Sequence, residues 1–97
     1  MIVKIHETKQ GVVVAVIDND LLGKIFEQGE LQLDLTSSFY KGIEKADNEV
    51  GDLMRNAYGI NIVGKKTIAL ALEEGIIDES MIRMIANIPF YQGTIDI

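Results

Sequence analysis

Ninety-seven residues, 47% of them hydrophobic, suffice for one domain with its own core and are too few for two, so a single compact domain over 1–97 is expected. The chain has no cysteine, which excludes disulfides, thiolate metal sites and cysteine nucleophiles. A net charge of -6 and a pI near 4.6 repel phosphodiester backbones, so DNA is not an expected partner and RNA is disfavoured.

The opening MIVKIHETKQ lacks the basic-then-apolar design of a signal peptide, and no apolar run approaches the ~18 residues of a membrane span. A cytoplasmic protein without a membrane partner is the expectation. Mean hydropathy of +0.17 is high for a soluble domain of this size and points to apolar surface that meets a partner or a second copy.

Residues 2–7 and 12–18 are rich in Val and Ile, with Gly11 permitting a turn between them, and predict an antiparallel hairpin. VVVAVI is apolar at both parities, as a central strand covered on both faces must be. Asp18 to Asp20 then break the run, leaving a helical turn for Leu21 and Leu22. ELQLDLT (30–36) alternates, so Leu31, Leu33 and Leu35 should point inward. SSFYKG reads as a loop or short strand.

In DNEVGDLMRNAYG, Val50, Leu53, Met54, Ala57 and Tyr58 share one helical face, with Asp47 as N-cap and Gly59 as the left-handed stop. IVGKKTIALALEEG predicts a second helix, largely buried, capped by Asn61 and stopped by Gly75. Asp78 to Ser80 read as a turn, MIRMIANI as a strand interrupted after it by Pro89, and GTIDI as a last edge strand. Strands, two helices, then strands give an α+β fold: a single-layer, mostly antiparallel or mixed sheet with two main helices packed on it. Alternating βαβ units are not evident.

GINIVGKKT (59–67) invites comparison with a phosphate-binding loop, G-x-x-x-x-G-K followed at once by Ser or Thr. Gly59, Gly64 and Lys65 fit that pattern. Position 66 is lysine, however, and Thr67 comes one residue late, which on a helix swings its hydroxyl away by about 100°. Ile60 to Val63 are bulky where amides should curl around a phosphate, and the preceding segment reads as helix where the motif needs a strand. Nucleotide hydrolysis is rejected. What survives is a weaker anion or small-ligand site at a helix N-terminus, with Asn61, Gly64, Lys65, Lys66 and Thr67 as its candidates, beside the plain reading of two solvated lysines.

Catalytic groups do not gather. His6 is the sole histidine and has no partner for base or metal work. Asp18-Asn19-Asp20 begins like a calcium loop but offers Leu22 where an oxygen ligand is required. Glu73 and Glu74 are adjacent on a helix and point about 100° apart. No catalytic residue, metal ligand or cofactor is assigned. FYKG (39–42) and PFYQG (89–93) hold four of the six aromatics. Phe39, Tyr40, Phe90 and Tyr91, with Arg83, are therefore the candidate interaction surface, against the alternative that the rings plug the sheet ends.

VKIHET, DLLGK, F-x-x-G-x-L, FYKG, NIVGKKTIALALEEGIID and IPFYQ, in this order and spacing, resemble the archaeal family termed domain of unknown function 424. The resemblance covers nearly the whole chain and implies a compact cytoplasmic α/β domain of this length, with no function attached. It carries Asn61–Gly64 and Phe39–Gly42 over as matching positions. The chain departs from the family in having Phe90 where histidine is usual after the proline, and Asn87 where glycine is usual. The functional expectation is a non-enzymatic binding or assembly module, engaging a protein partner or a second copy. An RNA- or ribosome-associated accessory role and a small anion- or ligand-binding role are the alternatives.

Overall fold

A computed structural model describes residues 1–95. Among these residues there are two helices, α1 (Asp47–Arg55) and α2 (Lys65–Glu73). Eight strands accompany them: β1 (Ile2–Thr8), β2 (Gly11–Ile17), β3 (Ile25–Gln28), β4 (Leu31–Asp34), β5 (Ile43–Glu44), β6 (Gly59–Val63), β7 (Arg83–Ile85) and β8 (Ile88–Thr94). Six of the strands form one sheet in the order β5-β1-β2-β6-β8-β7, and β3 and β4 pair as a separate hairpin. The α+β expectation holds. The sheet is mixed, because β2 and β6 run parallel while its other neighbours are antiparallel.

Side-chain parity explains why both faces are dry. On β2 and β6, Val14, Val16, Ile60 and Ile62 point to one face and pack with Val50, Met54 and Ala57 of the α1 region and Ile68 and Ala71 of α2. Ala15, Ile17 and Val63 point to the other face and meet Leu33 and Leu35 of the hairpin, Leu21, Tyr40 and Ile85. VVVAVI is therefore apolar at both parities because it faces helices on one side and a β-hairpin on the other. That hairpin cover is the layer that element counting alone did not supply.

Several expectations are corrected. Gly59 is not the stop of α1 and Asn61 is not the cap of α2, because both lie in β6, the central parallel strand. Asp47 is the first residue of α1 rather than its cap, which is Ala46. Tyr58 falls beyond the helix and is 43% exposed. Leu31 sits next to the β3–β4 turn and is 48% exposed, so only Leu33 and Leu35 turn inward. SSFYKG contains a single 3-10 turn, Ser38–Tyr40.

Pro89 interrupts nothing. It lies inside β8 opposite Met84, and its carbonyl accepts from the Gly64 amide at 2.9 Å. MIRMIANI is not one strand, because Ala86 and Asn87 both have positive φ (48° and 65°) and form the two-residue turn between β7 and β8. Asparagine tolerates that conformation best after glycine, which suits Asn87 to this turn. Of the expected GTIDI strand, Gly93 and Thr94 belong to β8. Asp96 and Ile97 lie outside the described residues.

Candidate functional site

The parallel pair β2 and β6 end side by side, at Ile17 and Val63, and the Asp18 amide continues the ladder to the Val63 carbonyl at 3.1 Å. From here one chain turns outward at Asp18 while the other enters α2 through Gly64. The carboxyl ends of parallel strands are where α/β sheets commonly bind ligands. An open groove of about 920 Å³ lies here, and Asp20, Asp47, Lys65, Lys66, Glu73 and Leu21 are among its walls.

The helix N-terminus is already occupied from within. Asp18 is 7% exposed, and its Oδ2 accepts from the Lys66 amide at 3.0 Å. Its Oδ1 accepts from the Thr67 amide and the Thr67 hydroxyl, both at 2.8 Å. Gly64, the residue before α2, makes no side-chain cap of its own. A carboxylate 48 and 49 residues earlier in the chain than the amides it accepts from therefore does what an N-cap side chain or a bound anion would do. Gly64 is what lets it approach: its φ is +114°, and a Cβ there would fall 2.3 Å from the Asp18 carboxyl carbon.

This geometry settles the comparison with a phosphate loop. A strand does precede Gly64, so that objection falls. The remaining ones hold more strongly, since Ile60 to Val63 are ladder residues and leave no loop to curl around a phosphate. The five anion-site candidates do not share one surface. Lys65 and Lys66 project into the groove, Thr67 is fully buried against Asp18, and Gly64 is buried. Asn61 lies mid-strand on the hairpin face, where its Oδ1 accepts from the Tyr40 hydroxyl at 2.9 Å. Asp18 was read from sequence as a turn residue, and no local signal ties it to Lys66 and Thr67.

The aromatic candidates divide between the faces. Phe39 stacks on His6 with ring centroids 4.1 Å apart and meets Tyr40 edge-on at 5.1 Å. His6 Nε2 donates to the Phe39 carbonyl at 3.0 Å, so that nitrogen is not available as a base. Arg83 lies 5.9 Å over the Phe90 ring, opposite it on β7 and β8. Tyr91 pairs with Ile62, packs on the helix side and donates to the Thr94 carbonyl. Tyr40 is buried, and Phe39 and Phe90 pack against the second core, which fits rings that close the sheet. Lys65 and Lys66 stand at the start of α2 on the helix side, whereas Phe39 and Tyr40 lie on the hairpin side, so these lysines and that aromatic pair form no continuous patch for RNA.

Burial pushes the Tyr40 hydroxyl's pKa above that of an ordinary tyrosine. A raised folded-state pKa contributes stability that is complete below about pH 10 and is lost as pH climbs through the folded value. Tyr40→Phe is accordingly expected to cost about 1 kcal/mol at neutral pH, from the lost bond to Asn61. It should also flatten the fall in melting temperature between about pH 9 and 11. Thermal melts across that range check both parts; an unchanged alkaline slope would remove Tyr40 as the cause.

Among the described residues no group of three or more His, Cys, Asp or Glu is arranged to hold a metal, and no helix is long and apolar enough to cross a membrane. The fold is an α+β sheet with a groove at the N-terminal end of α2. Residues 5–94 match the family described as Protein of unknown function (DUF424), and the chain belongs to that family. No curated protein matches it. The crystal structure of an uncharacterized conserved protein from Methanopyrus kandleri shares the fold, with a TM-score of 0.80 at 24% identity over 97% of this chain and 90% of that one.

Proposed function

We propose that this protein is a small binding module that engages another protein and performs no chemistry of its own. The observation that carries this reading is the placement of its exposed aliphatic side chains. Ile43 is 63% exposed beside Ile5 on one sheet edge. Ile25, Leu31 and Met84, each about half exposed, sit on the β3–β4 hairpin and the neighbouring edge strand β7. A chain that can bury both faces of its sheet still leaves these residues in water, and such residues are the ones a partner covers. The titratable groups support the same reading, since His6 is stacked and bonded and Asp18 is consumed in capping α2.

Immobilised wild-type protein should retain a defined partner from an extract of the source cells. The triple variant Ile25→Asp, Leu31→Asp, Met84→Asp or an Ile43→Asp variant should lose it. A strictly monomeric protein from which both surface variants and wild type recover nothing would overturn the reading. A second reading draws on the groove, where Lys65 and Lys66 face Asp20, Asp47 and Glu73 and could hold a small ligand carrying both charges. Thermal-shift screening with Lys66→Ala as control tests that alternative.

A further inference from the structure

We infer that the outer edge of β1 is a docking site for an extended acidic segment of another protein, which adds to the sheet as a strand. This rests on the binding-module reading and names its partner chemistry.

The backbone of β1 is half used. Thr8 and Gly11 close a two-residue turn in the β1–β2 hairpin, and the pair flanking such a turn is hydrogen-bonded. By alternation, Ile2, Lys4, His6 and Thr8 direct their backbone groups at β2, while Val3, Ile5 and Glu7 direct theirs outward. An independent bond agrees: Val12, the partner of Glu7, gives its carbonyl to the Tyr58 amide on the β6 side at 2.8 Å. The short β5 covers only Ile2 and Val3. Gly42 then lies so close to the Val3 carbonyl that a Cβ there would stand 1.8 Å from its oxygen, and the chain moves off into the 3-10 turn at Ser38–Tyr40. Among the described residues no backbone hydrogen bond reaches the outward groups of Ile5 and Glu7.

The groove beside that edge, about 350 Å³, is both apolar and basic. Ile5 and Ile43 are its exposed aliphatic walls, and Lys4, Lys41 and Lys45 stand around them. Lys45 lies 3.7 Å from Glu49. Lys4 and Lys41 make no ion pair among the described residues. In a chain of net charge -6, three of the nine basic residues are gathered at one groove. Charge chooses the occupant. A second copy joined edge to edge would add its own Lys4 and Lys41 to those already at this edge, whereas an acidic segment would be attracted and held in register. Strand addition supplies the affinity through main-chain bonds, with Ile5 and Ile43 accepting every second side chain.

The test uses a fluorescein-labelled seven-residue peptide alternating glutamate and valine, with its lysine-for-glutamate counterpart as control. Fluorescence anisotropy should show saturable binding of the acidic peptide alone, weakened several-fold between about 50 and 300 mM salt. The double variant Lys4→Glu, Lys41→Glu should weaken it at least about ten-fold. Ile5→Pro, which deletes an outward amide and no β1–β2 bond, should abolish it while leaving the melting temperature near that of wild type. Amide exchange at Ile5 and Glu7 should slow on binding, which reads the edge without any substitution.

No binding, or binding indifferent to both variants, would overturn the proposal and leave the lysines as guards against unwanted edge pairing. A wild-type dimer dissolved by Ile5→Pro would overturn it in favour of a second copy. A cellular partner that is lost by the hairpin variant but kept by Ile5→Pro would overturn this site and leave the broader reading standing.

Discussion

Gly64→Ala is expected to destabilise the protein by about 4 kcal/mol, enough to lower the melting temperature by roughly 15–30 °C or to prevent folding. Two independent terms add. At φ +114° and ψ 156° the residue occupies a region open essentially to glycine, at a cost of ~1–3 kcal/mol for any other side chain. The new methyl would also meet the Asp18 carboxyl carbon at 2.3 Å and both its oxygens at 2.6 Å. Asp18 cannot step aside, because three hydrogen bonds pin it to Lys66 and Thr67.

Gly75→Ala is the matched control. Gly75 also has positive φ (+70°) but nothing within 4 Å of its missing Cβ, so only the backbone term applies, about 1 kcal/mol. The difference between the two melts isolates the contact with Asp18. Equal losses at the two positions would show that Gly64 serves conformation alone.

The same contact shows where sequence reading succeeds and stops. VVVAVI was legible as a central strand because burial on both faces writes itself into six consecutive apolar residues, and Gly75 as a helix stop because the signal is local. GINIV was misassigned. Five apolar-rich residues lie wedged between two helices, and periodicity cannot tell so short a strand from a helix end. Glycine and asparagine, which usually punctuate helices, sit inside it: Asn61 because its side chain meets Tyr40 across the sheet, and Gly59 because the Gly93 carbonyl lies 3.2 Å from where its Cβ would be.

The candidate site was legible in half. GKKT does lie at the start of α2, three residues beyond the Asn61 cap expected from the sequence, with Gly64 just before the helix and Lys65 its first residue. The occupant of that turn is Asp18, which arrives through the parallel pairing of β2 with β6, and nothing within either segment records that pairing. FYKG illustrates a different gap. Paired aromatics attract attention as a surface, yet Tyr40 is buried and Phe39 rests on His6, contacts fixed by how the 3-10 turn lies across β1. The open edge of β1 was invisible for the opposite reason: it depends on what the chain fails to cover.

Asp18→Ala is expected to cost about 3 kcal/mol, measured by thermal or denaturant unfolding. It removes the acceptor for two helix amides and leaves the Thr67 hydroxyl, which is 0% exposed, without a partner. Asp18→Asn should cost less, about 2 kcal/mol, because one oxygen can still serve Thr67 while the amide nitrogen confronts the Lys66 N–H, donor against donor. Thr67→Val deletes the hydroxyl at nearly constant volume. Combined with Asp18→Ala it should lose about 1–2 kcal/mol less than the sum of the single losses, since the orphaned group is gone. The empty cap should then behave as the anion site its sequence suggests: two free amides at a helix N-terminus, flanked by Lys65 and Lys66. Sulfate at about a hundred times its dissociation constant would restore nearly 3 kcal/mol to Asp18→Ala by mass action. Wild type, whose amides already hold a carboxylate, should gain little beyond the general salt effect. Equal gains in both proteins would mean that the amides are reachable with Asp18 in place, and that the carboxylate is not what fills the turn.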